Sequence, residues 1–457
     1  MRRMIFPALL ALSACMQAPN GTATRQAEIT TRQVASLPSA LPPMKAFAGS
    51  RIAAPARPNG QIASDFLDLA FSLESGRALP VLTRFEGPVT LRVTGKAPSA
   101  LQLDLDRLLA RLRVEAGIDI RQVAGTQAAG ITLEVITKRQ LQRLVPHAAC
   151  FVAPNVASWD EFRKLRGTPA TDWTAMTSRK RMAVFIPGDI APQEMRDCLH
   201  EEVAQALGPV NDLYRLNDSV FNDDNFHTVL TGFDMLVLRA YYSRDLRSGM
   251  SKSQVAARLP GILARLNPAG GDGTPGRAAP TPTAWKKAIE TALGATTNTT
   301  RRRSAAQDAV HIARTQGWYD TRLAFSLYAL GRLSLGVNSD VALQAFREAE
   351  TIYSNTPGSA LQAAHMGVQL AAYALSAGQA ERAIGIVNTH VSPVMQAENA
   401  ALLSTLLMIK AEALELAGRG TEAQLVRLDS LGWARYGFGS DAQVGERLRE
   451  IAAISPS

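Results

Sequence analysis

Cys198-Leu-His-Glu-Glu-Val-Ala-Gln-Ala-Leu-Gly-Pro-Val-Asn-Asp212 is the stretch on which the reading of the fold turns. It reads as a helix that ends in a bend at Gly208, with Cys198 at or near its start. Just upstream, Met182 to Ile186 is a short apolar run closed by Pro187 and Gly188, the pattern of a buried strand. Further back, Val89, Leu91 and Val93 alternate with polar neighbours, as do Ile131, Leu133 and Val135, whereas Leu105, Leu108, Leu109 and Leu112 fall at helical spacing. Mixed periods of this kind predict an α+β domain, placed at 63–265.

Residues four apart on a helix share a face, so Glu201 and Gln205 can aim at one point, and a glycine bend can bring Asn211 back towards them. This arrangement resembles the active-site helix of metzincin-type zinc peptidases, in which His-Glu-x-x-His and a third histidine beyond a glycine hold the metal. A register starting at His200-Glu201 keeps the first ligand but puts Ala204 in the place of the second histidine. The register Glu201, Glu202, Gln205, Gly208, Asn211 fits the whole pattern. Ser219-Val220-Phe221 then sits where the family has a methionine turn under the metal, and Leu230 to Tyr242 resembles the closing helix. The resemblance, shared with an uncharacterised bacterial lipoprotein family that carries the same Glu-Glu-x-x-Gln pattern, implies a zincin-like domain with Glu202 as general base. Its ligand set would be degenerate: Glu201, Gln205 and Asn211 in place of three imidazoles. Zinc prefers nitrogen and sulfur, so the expected cofactor is none, or a weakly bound divalent metal of the calcium or manganese type. His200 and His227 could contribute to a rebuilt site beside Asp223 and Asp224, although the two aspartates also suit turn-making and capping. Glu201, Glu202 and Gln205 have an ordinary reading too, as solvated side chains in a first helical turn.

The N-terminus reads Met-Arg-Arg-Met, an apolar run from Ile5, then Leu12-Ser-Ala-Cys15, which resembles the signal and lipobox of bacterial lipoproteins. The apolar run is about half of the ~20 residues that span a bilayer. The expectation is a signal segment at 1–15, lipidation of Cys15, and a cell-envelope protein that faces the periplasm, with the outer membrane favoured over the inner because Met16 follows the cysteine. Cys150 and Cys198 then remain as an even pair, suited either to one disulfide in an oxidising compartment or to two buried thiols.

Pro19, Pro38, Pro42, Pro43, Pro55 and Pro58 in an Ala-, Thr- and Ser-rich background mark a tether at 16–62, and the Gly/Pro-dense stretch at 266–283 marks a linker. At 457 residues and 46% hydrophobic, the chain holds enough apolar material for two cores. Region 284–457 is Ala- and Leu-rich throughout, and Ala342, Ala383 and Ala423 recur at about forty-residue intervals, with Ala342, Phe346 and Ala349 as the clearest unit. It resembles tetratricopeptide helical hairpins, which implies an all-α helical-repeat domain that recruits a protein partner; an irregular bundle is the alternative. The net charge of +9 is spread along the chain apart from Arg301-Arg302-Arg303, and without a nucleic-acid motif it argues for no nucleic-acid partner. The membrane, through the lipid anchor, is the other expected partner.

Overall fold

A computed structural model describes residues 41–456, apart from 48, 50–53, 56, 147, 272–280 and 295–296. The signal segment, Cys15 and most of the tether therefore lie outside the described residues, as does the middle of the linker. The chain divides into two compact units, one of Ile52–Ile190 with Glu194–Thr281 and one centred on Pro282–Ser457.

The first unit is an α/β domain. Its elements run α1 (Asn59–Phe71), β1 (Val89–Gly95), α2 (Ser99–Val114), β2 (Ile120–Val123), β3 (Ile131–Ile136), α3 (Lys138–Leu144), β4 (Phe151–Pro154), α4 (Trp159–Leu165), β5 (Met182–Pro187), α5 (Pro192–Leu207), α6 (Gly232–Tyr241) and α7 (Lys252–Leu266). The strands form one sheet in the order β2-β1-β3-β5-β4, parallel except for β4, which runs antiparallel to β5. Every residue of β5 is buried, the signature of a strand covered on both faces. Leu101, Leu105, Leu108 and Leu112 of α2 and Leu199, Val203, Ala206 and Leu207 of α5 belong to the same core. A disulfide joins Cys150, just before β4, to Cys198.

Helix α1 starts at Asn59, inside the stretch read as tether. Pro58 stands at its N-cap with extended geometry, and a polar Asn-Gly-Gln opening hides an apolar face that begins only at Ile62 and Phe66. Its first residue is tied to the end of α7: the Asn59 amide donates to the Asn267 carbonyl at 3.0 Å, and the Asn267 amide donates to the Asn59 side-chain oxygen at 3.0 Å. Helix α5 starts at Pro192, so Cys198 lies nearly two turns inside it and Glu201 sits half-buried in its middle rather than solvated in a first helical turn.

The second unit is all-helical: α8 (Thr283–Leu293), α9 (Thr299–Thr315), α10 (Thr321–Ser334), α11 (Ser339–Ser354), α12 (Ala360–Ser376), α13 (Ala380–Gln396), α14 (Ala400–Leu416), α15 (Gly420–Phe438) and α16 (Asp441–Ala452). This is compatible with a helical repeat. Ala342, Phe346 and Ala349 are all fully buried. Gly378 and Gly418 end α12 and α14 at φ of 71° and 76°, a left-handed conformation that costs a side chain dearly and lets the next helix fold back. Part of the stretch read as tether also belongs here: the Lys45 N–H donates to the Gly432 carbonyl at 3.0 Å, and Phe47 stacks on Trp433 at 4.6 Å between centroids.

Close helix approach is visible at Gly331, where an added Cβ would stand 2.6 Å from the Phe346 ring. Alanine gains about 1 kcal/mol over glycine in helix propensity, but overpacking a filled core costs about 1–3 kcal/mol. Gly331→Ala is therefore expected to lower stability by roughly 1 kcal/mol net in thermal or urea unfolding. A stabilised variant would show that α10 and α11 have room to spare.

Candidate functional site

The C-terminal end of α5 is held by a buried arginine. Arg179 donates through its two terminal nitrogens to the Gln205 and Gly208 carbonyls and through Nε to the Thr83 carbonyl at 3.1 Å. The Gln205 and Gly208 carbonyls are among the groups that a helix end leaves without partners, and a cation at that end also meets the negative pole of the helix. Gly208 then lies flat on Tyr241, 3.1 Å from ring to an ideal Cβ, and the Tyr242 hydroxyl donates to the Leu207 carbonyl at 2.9 Å.

The chain leaves this bend along α1. The Asn211 amide donates to the Asp68 carbonyl at 2.9 Å, and the Leu213 N–H donates to the Phe221 carbonyl at 3.0 Å, which brings the 211–213 segment beside the 221–227 loop. That loop is shaped by its own side chains. Asn222 donates to the Leu216 carbonyl, and Asp224 accepts from the Asn222 amide and the Phe226 N–H. Asp224 is thus a turn-maker, whereas Asp223 faces elsewhere. Across from it, the turn after α1 closes through the Ser72–Ala78 bridge and presents Glu74.

Carboxylate oxygens of Glu74, Asp212 and Asp223 lie within 4.8 Å of one another. Asp212 is 1% exposed, and among the described residues its oxygens meet the Glu74 carboxyl and no N–H or hydroxyl donor. Burial pushes its carboxyl well above the usual range, and Glu74, Asp223 and Glu201 push in the same direction. Glu201, half-buried, is raised to about 8 by burial and then by Glu74 and Asp223. Glu74, far upstream, and Glu201, Asp212 and Asp223, close together in the chain, therefore act on one another.

The other residues singled out by the sequence go to different places. Glu202 is 1% exposed and turned to the sheet, where it accepts from the Val152 backbone; burial, then Glu201 and Glu74, push its carboxyl well up. Gln205 is buried, and no partner among the described residues reaches its side-chain nitrogen. His200 points to the stretch just before α6, where its Nδ1 accepts from the Leu230 N–H at 3.1 Å, and burial lowers its pKa well below the usual value. His227 meets the Asn217 carbonyl at 2.9 Å through Nε2. Phe221 is fully buried in the core. Glu74 and Asp212 carried no sequence signal as site residues: Glu74 sits in a short polar turn far along the chain, and Asp212 was overshadowed by its neighbour Asn211.

Fold and site together define a mixed-sheet α/β domain with a carboxylate cluster beyond the end of α5, followed by a helical region. Residues 59–261 match the model of a family described as a protein of unknown function, DUF2927, so the chain carries a DUF2927 domain. The match opens on the first residue of α1 and closes within α7. None of the curated proteins matches the chain. No helix among the described residues is long and apolar enough to cross a membrane.

Proposed function

We propose that this chain is a lipid-anchored cell-envelope protein whose first domain is a zincin relative that binds rather than hydrolyses, joined to a tetratricopeptide-like repeat that recruits a protein partner. The element order supports the kinship: strand β5, the motif helix α5, the bend at Gly208, the loop with buried Phe221 and the closing helix α6 follow one another as the metzincin resemblance implies. The observation that carries the non-hydrolytic reading is Glu202. A general base must reach the proton it removes, directly or through one water. This carboxylate is buried against the β4 backbone instead. The positions of the three imidazoles hold Glu201, Gln205 and Asn211, and the Asn211 amide is engaged with α1.

The full chain, supplied with zinc, manganese or calcium, is expected to show no turnover of unfolded protein or of peptidoglycan peptides. Turnover that disappears in Glu202→Gln would overturn the proposal in favour of a metal-dependent hydrolase. The anchor is tested separately by acyl-chain labelling in cells, which Cys15→Ser is expected to abolish.

A further inference from the structure

We propose that Glu74, Asp212 and Asp223, with Glu201 at their edge, form a binding site for one hard divalent cation of the calcium class. This inference does not rest on kinship with zincins. It starts from Asp212, whose two oxygens are buried with no donor among the described residues. A buried carboxylate without donors is costly. The neighbour it meets is another acid, Glu74, whose carboxylate oxygen lies within 4.8 Å. Two carboxyl groups hold one another only by sharing a proton or a cation. Among the described residues no arginine acts on Asp212 or Glu201, and Arg57 and Arg215 pair with other acids, Asp65, Asp68 and Asp218.

The size of the cluster fits the same occupant. Oxygens within 4.8 Å of one another can all touch a single ion. Calcium–oxygen distances of roughly 2.3–2.6 Å place opposite ligands up to about 4.6–5.2 Å apart, which separations of this order accommodate. Carboxylates alone suit calcium, which takes six to eight oxygens and accepts bidentate acids, and they suit zinc poorly. The ion would pin the turn after α1 to the segment after α5 and the 221–227 loop, which lie far from that turn in the chain.

The test is calorimetric titration of calcium chloride into the full chain after treatment with a chelator, alongside thermal unfolding. One calcium per chain is expected, with Kd of about 10⁻⁴ M or tighter and a melting temperature that rises with calcium. Asp212→Asn and Glu74→Gln are each expected to weaken binding at least tenfold and to remove the calcium-dependent rise. Asp212→Asn should also melt no lower than the parent in calcium-free buffer, because the amide is neutral at every pH whereas the buried acid has to hold a proton; this separates loss of the site from loss of the fold. If Asp212→Asn does not fold, the half-buried Glu74 position decides the matter. Absence of saturable calcium binding at millimolar concentration, uptake of zinc in its place, or unchanged calcium binding in the folded variants would overturn the proposal.

Discussion

In calcium-free buffer the α/β unit is expected to lose stability as the pH rises from 6.5 to 8. Glu201 titrates at about 8 in the fold against an ordinary value of 4.5, and Asp212 and Glu202 are displaced in the same direction. Between the unfolded and folded values the native state holds protons that the open chain has released, so stability falls with rising pH throughout that window. At 1.36 kcal/mol per unit, complete ionisation of Glu201 alone costs on the order of 3–5 kcal/mol. His200 and His227 act in the opposite sense, since burial lowers their values below 6.5 and each favours folding more as the pH climbs towards that point. Above 6.5 that gain is complete, which leaves the acids to dominate. Urea unfolding at several pH values checks this: Glu201→Gln should flatten the decline. A parent whose unfolding midpoint is constant from pH 6.5 to 8 would show that the acids do not share the cluster as described.

Arg179→Leu is the substitution expected to damage the fold most. It leaves the Gln205, Gly208 and Thr83 carbonyls without their donor in a buried setting, where each orphaned group costs about 1–3 kcal/mol. A total loss of about 3–5 kcal/mol follows, read from chemical unfolding of the full chain. Arg179→Lys should recover less than half of it, because an ammonium cannot span three carbonyls that a planar fork reaches together. A loss below about 1 kcal/mol would mean that water enters and caps the helix instead.

Arg179 also shows where sequence reading stops. The strand β5 and the motif helix were legible, since an uninterrupted apolar run and helical spacing are local signals that tertiary contacts reinforce. The helical character of the second region was legible for the same reason. Arg179, in contrast, lies in a polar connection with no periodic signal, and its partners come from two other parts of the chain. The acids divide in the same way. Glu201 could be singled out because the helix places it in a recognisable pattern. Asp223 carries the local signal of a turn residue, a role that its neighbour Asp224 fills. Glu74 is brought to Asp212 only by the packing of α1 along the segment after α5, information that resides in no single window of residues.

The paired asparagines Asn59 and Asn267 have a consequence for how such a domain is used. They hold the point where the chain enters the α/β unit against the point where it leaves, so the unit is a cassette with its two doors side by side. A module of this kind can be spliced into a loop of another protein, or exchanged for a relative, without stretching the host.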